Sequence, residues 1–251
     1  MIIDTRIGQH HYSFDSTAGM DISIILDAAI EGPNCFYAPL FDASPLVSGD
    51  FIGDTRKGSP VNFYNVKINP HGNGTHTECV GHISQEIVTI NDVLKDSLFW
   101  GKLVSVYPEK MDNGDKLITV QTLQPFIDAF RDETAIIIRT LPNPQEKQRW
   151  IYSGSNPTYF EPEAIALLVN AGIKHLLTDL PSVDREEDGG KLLAHKTFWN
   201  YPQEINRENT ITEMVFVPDH IKDGNYLVQI QIPPFALDAA PSRVFLYENL
   251  D

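Results

Sequence analysis

A strand-rich, mixed α/β (α+β) domain is what the sequence predicts, and three features carry that prediction. Short apolar runs bounded by Gly, Pro, Asn and Asp recur along the chain. Helical spacing is clear in only two places, and the closing third alternates strand-like runs with turns such as Asp223-Gly224-Asn225. With 251 residues, 42% of them hydrophobic and 21% charged, the chain has enough apolar material for a large core, and we expect a single domain over residues 1–251.

The elements follow in order. Residues 21–27, DISIILD, read as a strand, and residues 32–60 are dense in Gly, Pro, Ser and Asp, a long irregular stretch suited to a lid or a pocket wall. Residues 61–68, VNFYNVKI, read as a strand with Val61, Phe63, Asn65 and Lys67 on one side and Asn62, Tyr64, Val66 and Ile68 on the other. A short connection over 83–94 leads to a strand at 101–110. Leu123, Phe126, Ile127 and Phe130 then recur at helical spacing, and residues 132–140, DETAIIIRT, form a buried strand running into Arg139. The best-defined helix starts at Pro162, whose fixed φ suits a first turn. Ile165, Leu168 and Val169 form its apolar stripe, and Gly172 suits its C-terminal end. Residues 173–180 return as a strand, and 212–217, 226–234 and 242–248 supply the closing strands.

Charge narrows the partners. Thirty-four acids against 19 bases give a formal charge of -15, which repels phosphate backbones and anionic membrane surfaces, so no nucleic acid and no membrane is expected. The acids are scattered and read as a hydrated surface. No apolar run approaches the length that spans a bilayer, and the opening residues lack the apolar stretch of a signal peptide. Cys35 and Cys79 are too few for a disulfide framework, which favours a reducing compartment and a cytoplasmic location.

Residues 69–83, NPHGNGTHTECVGHI, concentrate three of the eight histidines beside a carboxylate and a cysteine. If residues 75–78 are extended, His76 and Glu78 share a face, because strand side chains repeat every second residue. His82 keeps that parity, although Gly81 could break the strand before it. Imidazole and carboxylate on one face are ligand types for Zn²⁺, Mn²⁺ or Fe²⁺. On spacing alone a solvated strand fits the same pattern equally well. Cys79 has the opposite parity and reads as a buried, inert thiol more readily than as a nucleophile. His10, His11, His175 and His220 fall outside the pattern and read as surface or core residues.

These residues resemble the cyclase-like metal-dependent hydrolase family, which includes bacterial-type kynurenine formamidase and isatin hydrolase. Its signature, H-x-G-T-H-x-D-x-P-x-H, is matched here at Gly74, Thr75, His76 and His82, with Glu78 in place of the aspartate. Leu180-Pro181-Ser182-Val183-Asp184 is similar to a second element, T-P-S-V-D. His195 in AHKTFW and Glu213 in ITEMVFV resemble the late ligands, and residues 21–23 and 136–140 extend the likeness from about residue 20 to the C-terminus. The resemblance implies a swivelling β/β/α cyclase-like fold, a homodimer or homotetramer, and a small-molecule substrate. It also implies arylformamidase-like hydrolysis of an amide or cyclic amide by water activated on a divalent metal, Zn²⁺ or Mn²⁺. His76, Glu78, His195 and Glu213 would be ligands, and His82 would move protons.

Two departures stand out. The first ligand of the signature falls on Gly72, which has no side chain. His71 lies next door; a regular strand would point it away from His76, whereas a bulge at Pro70 to Gly72 would turn it back, so His71 is a candidate ligand with its orientation open. Val80 replaces the proline, and the extra methylene of Glu78 moves its carboxylate outward by roughly a bond length. Together these allow an altered site with one metal, a different metal or none, and hence the alternative of a small-molecule-binding protein without turnover. Asp184, beside Arg185, reads as structural. Trp150, Tyr152, Tyr159 and Phe160, like Phe198, Trp199 and Tyr201, could wall an aryl pocket or fill core and subunit contacts.

Overall fold

Residues 135–140, AIIIRT, are buried without exception, and this run marks the centre of the protein. The computed structural model describes residues 1–250; Asp251, the end of the expected domain span, lies outside them. Strands β1 (Ile2–Ile7) and β2 (His10–Asp15) open the chain as an antiparallel hairpin. Nine of the strands that follow belong to the main sheet: β3 (Met20–Asp21), β4 (His76–Glu78), β5 (Leu98–Val106), β6 (Ala135–Thr140), β7 (His175–Thr178), β8 (Thr210–Glu213), β9 (Gly224–Gln231), β10 (Ala239–Pro241) and β11 (Arg243–Tyr247). They form one sheet in the order β10-β4-β8-β7-β6-β5-β9-β11-β3. Strands β5 to β8 run parallel, and the flanking strands join them antiparallel.

Parallel strands need crossovers, and because β6 is covered on both faces, by crossover helices on one and by loops and strands on the other, its first four residues Ala135 to Ile138 read as an apolar run. Ile136 and Ile138 face helices α1 (Val120–Ile127), α2 (Pro162–Asn170) and α3 (Leu193–Trp199), packing with Leu123, Ile165, Leu168 and Trp199. Ala135 and Ile137 face the other way, against Ile22, Val215, Val217 and the antiparallel strands. Thr119 caps α1 by accepting from Thr122 N–H, Pro162 stands at the start of α2, and Gly172 follows that helix at φ 88°. Among the described residues, no helix is long and apolar enough to cross a membrane.

Several expectations are corrected. Of the DISIILD segment only Asp21 pairs as a strand, at the end of Met20–Asp21; Ile22 N–H still bonds Val244 O, but Ile24 N–H goes to the Thr75 hydroxyl, so the chain leaves the sheet to brace the histidine motif. In the 61–68 segment only Tyr64–Lys67 is a strand, paired with Asp42–Pro45 from the irregular region, and all four residues are exposed. Alternation there reported no buried face. The 212–217 strand stops at Glu213, because Met214 takes a left-handed φ of 52°. Neither the opening hairpin nor α3, a helix of two turns, stands out in the sequence.

The parallel strands end together at Val106, Thr140, Thr178 and Glu213. Ligands of open α/β sheets gather at such carboxyl ends. At the centre of the sheet, a Cβ on Gly101 would lie 2.8 Å from Val228 Cγ2 and 2.9 Å from Ala135 Cβ. Gly101→Ala is therefore expected to destabilise the protein by about 1–3 kcal/mol through overpacking, measured by denaturant unfolding; an unchanged midpoint would contradict this account of the packing.

Candidate metal centre

Strand register builds the first part of the site. His76 and Glu78 share a face of β4, and the antiparallel pairing with β8 sets Glu213 directly opposite His76. His76 Nε2 accordingly lies 3.4 Å from Glu213 Oε2. On the other face Thr77 Oγ1 bonds Thr212 Oγ1 at 2.8 Å and Ser242 Oγ at 2.9 Å, which pins the register. Thr75 donates its hydroxyl to Met214 O at 2.6 Å. That bond holds the left-handed Met214, a strained conformation for a long side chain, at the point where the chain turns away behind Glu213.

The structure settles the orientation of His71. It occupies a turn, in which the N–H groups of Gly72 and Asn73 both bond Asn69 O at 3.1 Å, so strand parity does not apply. Its side chain swings inward, with Nδ1 3.1 Å from Glu78 Oε2. A Cβ at Gly72 would lie 2.3 Å from Ala38 Cβ. Loop packing thus closes the position that carries a ligand in the signature, and the preceding residue reaches the space instead.

His195 arrives from α3, where it stacks on Trp199 one helical turn later at 5.5 Å between ring centroids. Its Nε2 is 3.1 Å from Glu78 Oε1, and its Nδ1 is 2.6 Å from Asp184 Oδ2. Asp184 also accepts the N–H groups of Ala194 and His195, fixing the start of α3 and the imidazole together. The neighbouring Val183 N–H donates to Glu213 Oε1 at 3.1 Å. His82 lies in a single 3₁₀ turn, with Nδ1 3.8 Å from Glu78 Oε2 and 3.4 Å from Asp238 Oδ2. A Cβ on Gly81 would meet Val88 O at 2.0 Å, so this turn admits only glycine beside His82.

All six candidate side chains, His71, His76, Glu78, His82, His195 and Glu213, are therefore brought to one place. Donor atoms of His71, His76 and Glu78 lie within 4.8 Å of one another, as do those of Glu78, His82 and His195. Glu213 joins through His76.

Three imidazoles are each tied at one nitrogen: His76 Nδ1 to Gly74 O at 2.9 Å, His195 Nδ1 to Asp184, and His71 Nε2 to Asp238 Oδ2 at 2.8 Å. Each neutral ring then presents its other nitrogen as a lone pair toward the carboxylates, the arrangement that metal-binding histidines adopt. Two of the inward atoms, His76 Nε2 and Glu78 Oε2, are buried without a hydrogen-bond partner. Native proteins rarely leave such atoms orphaned, and a cation between them satisfies both. The donor set and its supports fit a divalent metal ion.

In the absence of a cation the cluster holds protons instead. Burial pushes His195 down, but its bonds to Asp184 and Glu78 outweigh that and raise it to about 10. Burial pushes His71 down as well, but its bond to Asp238 and the negative charge of Glu78 beside it raise it to about 10. Burial pushes the Glu78 carboxyl up, yet the surrounding His82, His195 and His71 hold it well below the usual carboxylate range.

Asp184 does more than the structural role expected of it, since it orients His195. Asp238 and the Val183 N–H escaped sequence reasoning altogether; Asp238 sits among small residues with no motif around it, and a backbone donor leaves no trace in residue identity. Cys79 is buried against Ile90 and Ala240, and burial pushes its thiol up to about 12. Among the aromatics, Phe160, Phe198 and Trp199 are core, while Trp150 and Tyr152 line a cavity of about 270 Å³ that none of the six cluster residues borders.

Comparison with known proteins places this geometry in context. The sequence model of the cyclase family matches residues 20–185, well over half of the chain. Among solved structures, a predicted metal-dependent hydrolase from Bacillus stearothermophilus is similar at 16% identity, over 91% of this chain and 97% of its own, with a TM-score of 0.63. Isatin hydrolase A from Labrenzia aggregata, solved with benzyl benzoate, matches at 14% identity over 91% of this chain and 93% of its own, with a TM-score of 0.65. Isatin hydrolase A from Ralstonia solanacearum matches at 12% identity over 91% of each chain, with a TM-score of 0.66. The fold that the resemblance implied is the fold of this chain.

The protonated cluster gives a pH dependence of definite sign. His195 at about 10 lies above the roughly 6.5 of an unfolded histidine, so its contribution to metal-free stability is fully present below about pH 6.5 and lost as pH rises through about 10. Metal-free protein is expected to unfold at lower denaturant concentration at about pH 10 than at about pH 6, and His195→Gln to flatten that slope. A wild-type slope no steeper than the variant's would contradict the assignment.

Proposed function

The chain belongs to the cyclase family, and from that premise we propose that it is a metal-dependent hydrolase of a small amide or cyclic amide, cutting C–N bonds other than peptide bonds in the manner of an arylformamidase. His71, His76, Glu78, His195 and Glu213 would hold the ion, Zn²⁺ or Mn²⁺. The observation that carries the reading is the orphaned pair, His76 Nε2 and Glu78 Oε2, buried and aimed into one space amid locked imidazoles. A bound divalent ion supplies two things at once, acidified water and a polarised carbonyl.

The chain's own residues supply the rest. His76, Glu78, His195 and Glu213 are all buried, so their donors stay dry and oriented. His71, His82 and Asp238, with side chains 24%, 30% and 32% exposed, form the open side, and substrate would enter there. His82 stands at that opening and would take a proton from the attacking water and return it to the leaving nitrogen. The solved relatives support a hydrolase; the isatin hydrolases among them are described as acting on isatin, a cyclic amide, which supports that substrate class here. Gly72 raises the alternative of a binding protein without turnover; His71, with Nδ1 3.1 Å from Glu78 Oε2, supports the hydrolase over it.

Protein supplemented with Zn²⁺ or Mn²⁺ is expected to retain metal in elemental analysis and to hydrolyse members of a panel of N-formyl aryl amines and cyclic amides. His76→Ala should lose the metal and at least about 100-fold in rate, the scale on which electrostatic stabilisers act. No retained metal together with unchanged activity in the variant would refute the reading. Activity that resists chelators and falls on cysteine alkylation would point to a thiol instead.

A further inference from the structure

Asp238 lies outside every sequence element that pointed to the cluster, yet one of its oxygens serves two imidazoles. Oδ2 is 2.8 Å from His71 Nε2 and 3.4 Å from His82 Nδ1. Its backbone is fixed to the motif, because Cys79 N–H donates to Asp238 O at 3.0 Å and β10, which begins at the next residue, pairs with β4. The preceding carbonyl, Leu237 O, accepts Ile90 N–H at 2.8 Å. The carboxylate is therefore aimed by a rigid segment rather than carried on a free loop.

The three ligand imidazoles differ in what else restrains them. His76 is fully buried in a strand and bonds a carbonyl two residues away. His195 is packed in a helix under Trp199. His71 stands in a turn, has no sheet register to hold it, and is the most exposed of the three, at 24% of its side chain against 0% for His76 and 3% for His195.

Resting on the metal-centre reading, we propose that Asp238 is the positioning residue that makes His71 a ligand and sets the orientation of His82. By accepting Nε2–H of His71 it leaves Nδ1 as the lone pair facing Glu78, and by holding His82 Nδ1 it leaves Nε2 to exchange protons. One carboxylate thus ties the displaced ligand to the proton-moving imidazole.

The test uses the full chain with Zn²⁺ and Co²⁺ alone as probes. Chelator competition gives the Zn²⁺ affinity, and the visible spectrum of the Co²⁺ form reports loss of an imidazole ligand. Asp238→Ala is expected to weaken Zn²⁺ binding by about 10–100-fold, the usual effect of removing a carboxylate behind a ligand histidine, and to alter the Co²⁺ spectrum. Asp238→Asn, whose amide oxygen still accepts from His71 Nε2, should recover most of the affinity and the wild-type spectrum. Wild-type affinity and spectrum in Asp238→Ala would overturn the proposal. Equal weakening in both variants would also overturn it, because the carboxylate would then act by charge rather than by orientation. Wild-type protein that binds neither ion would fail the metal reading itself, an outcome the wild-type arm reports separately.

Discussion

The structure depends on how it pays for one buried carboxylate. Glu78 is fully buried, and a charge in that position is tolerated only where its oxygens are paired. Its two oxygens face different groups: Oε1 meets His195, while Oε2 faces His71 and, farther off, His82. The groups that meet it come from a neighbouring turn, the 3₁₀ segment just beyond it and a helix more than a hundred positions away. Two of these imidazoles are themselves held from behind, His195 by Asp184 and His71 by Asp238.

Scaffold and site are joined at the carboxyl ends of the parallel strands. β8 ends at Glu213 and is bent away by Met214, whose N–H bonds Leu180 O at 3.0 Å. The segment after β7 runs from that same Leu180 to Asp184, delivering the Val183 N–H to Glu213 and the Asp184 carboxylate to α3. A single stretch of five residues therefore braces a candidate ligand from the sheet, Glu213, and one from a helix, His195. The buried half of the cluster is braced in this way from two elements, while the half carrying His71, His82 and Asp238 borders solvent.

The sequence disclosed those parts that local periodicity governs. The buried run at β6, the apolar stripe of α2 and the shared face of His76 and Glu78 all follow from repeats of two or 3.6 residues, and all are observed. Where a turn or a loop decides, periodicity fails: it gave the 61–68 segment two faces, yet the strand formed there, Tyr64–Lys67, is exposed on both, and it could not orient His71. His195 and Glu213 were legible only through likeness to a family, because nothing local marks residues that meet across more than a hundred positions. Asp238 had neither periodicity nor likeness to reveal it, only its geometry in the folded chain.

Glu78, the side chain that faces His71, His82 and His195, would be the hub of a divalent cation site. Calorimetric titration of Zn²⁺ into metal-free wild type and Glu78→Gln tests it most directly, since the substitution keeps the size of the side chain and removes its charge. The account predicts tight, saturable binding by the wild type and a loss of more than about 100-fold in the variant, beyond the cost of removing a supporting residue. Equal binding by the two proteins, or none by the wild type, would contradict it.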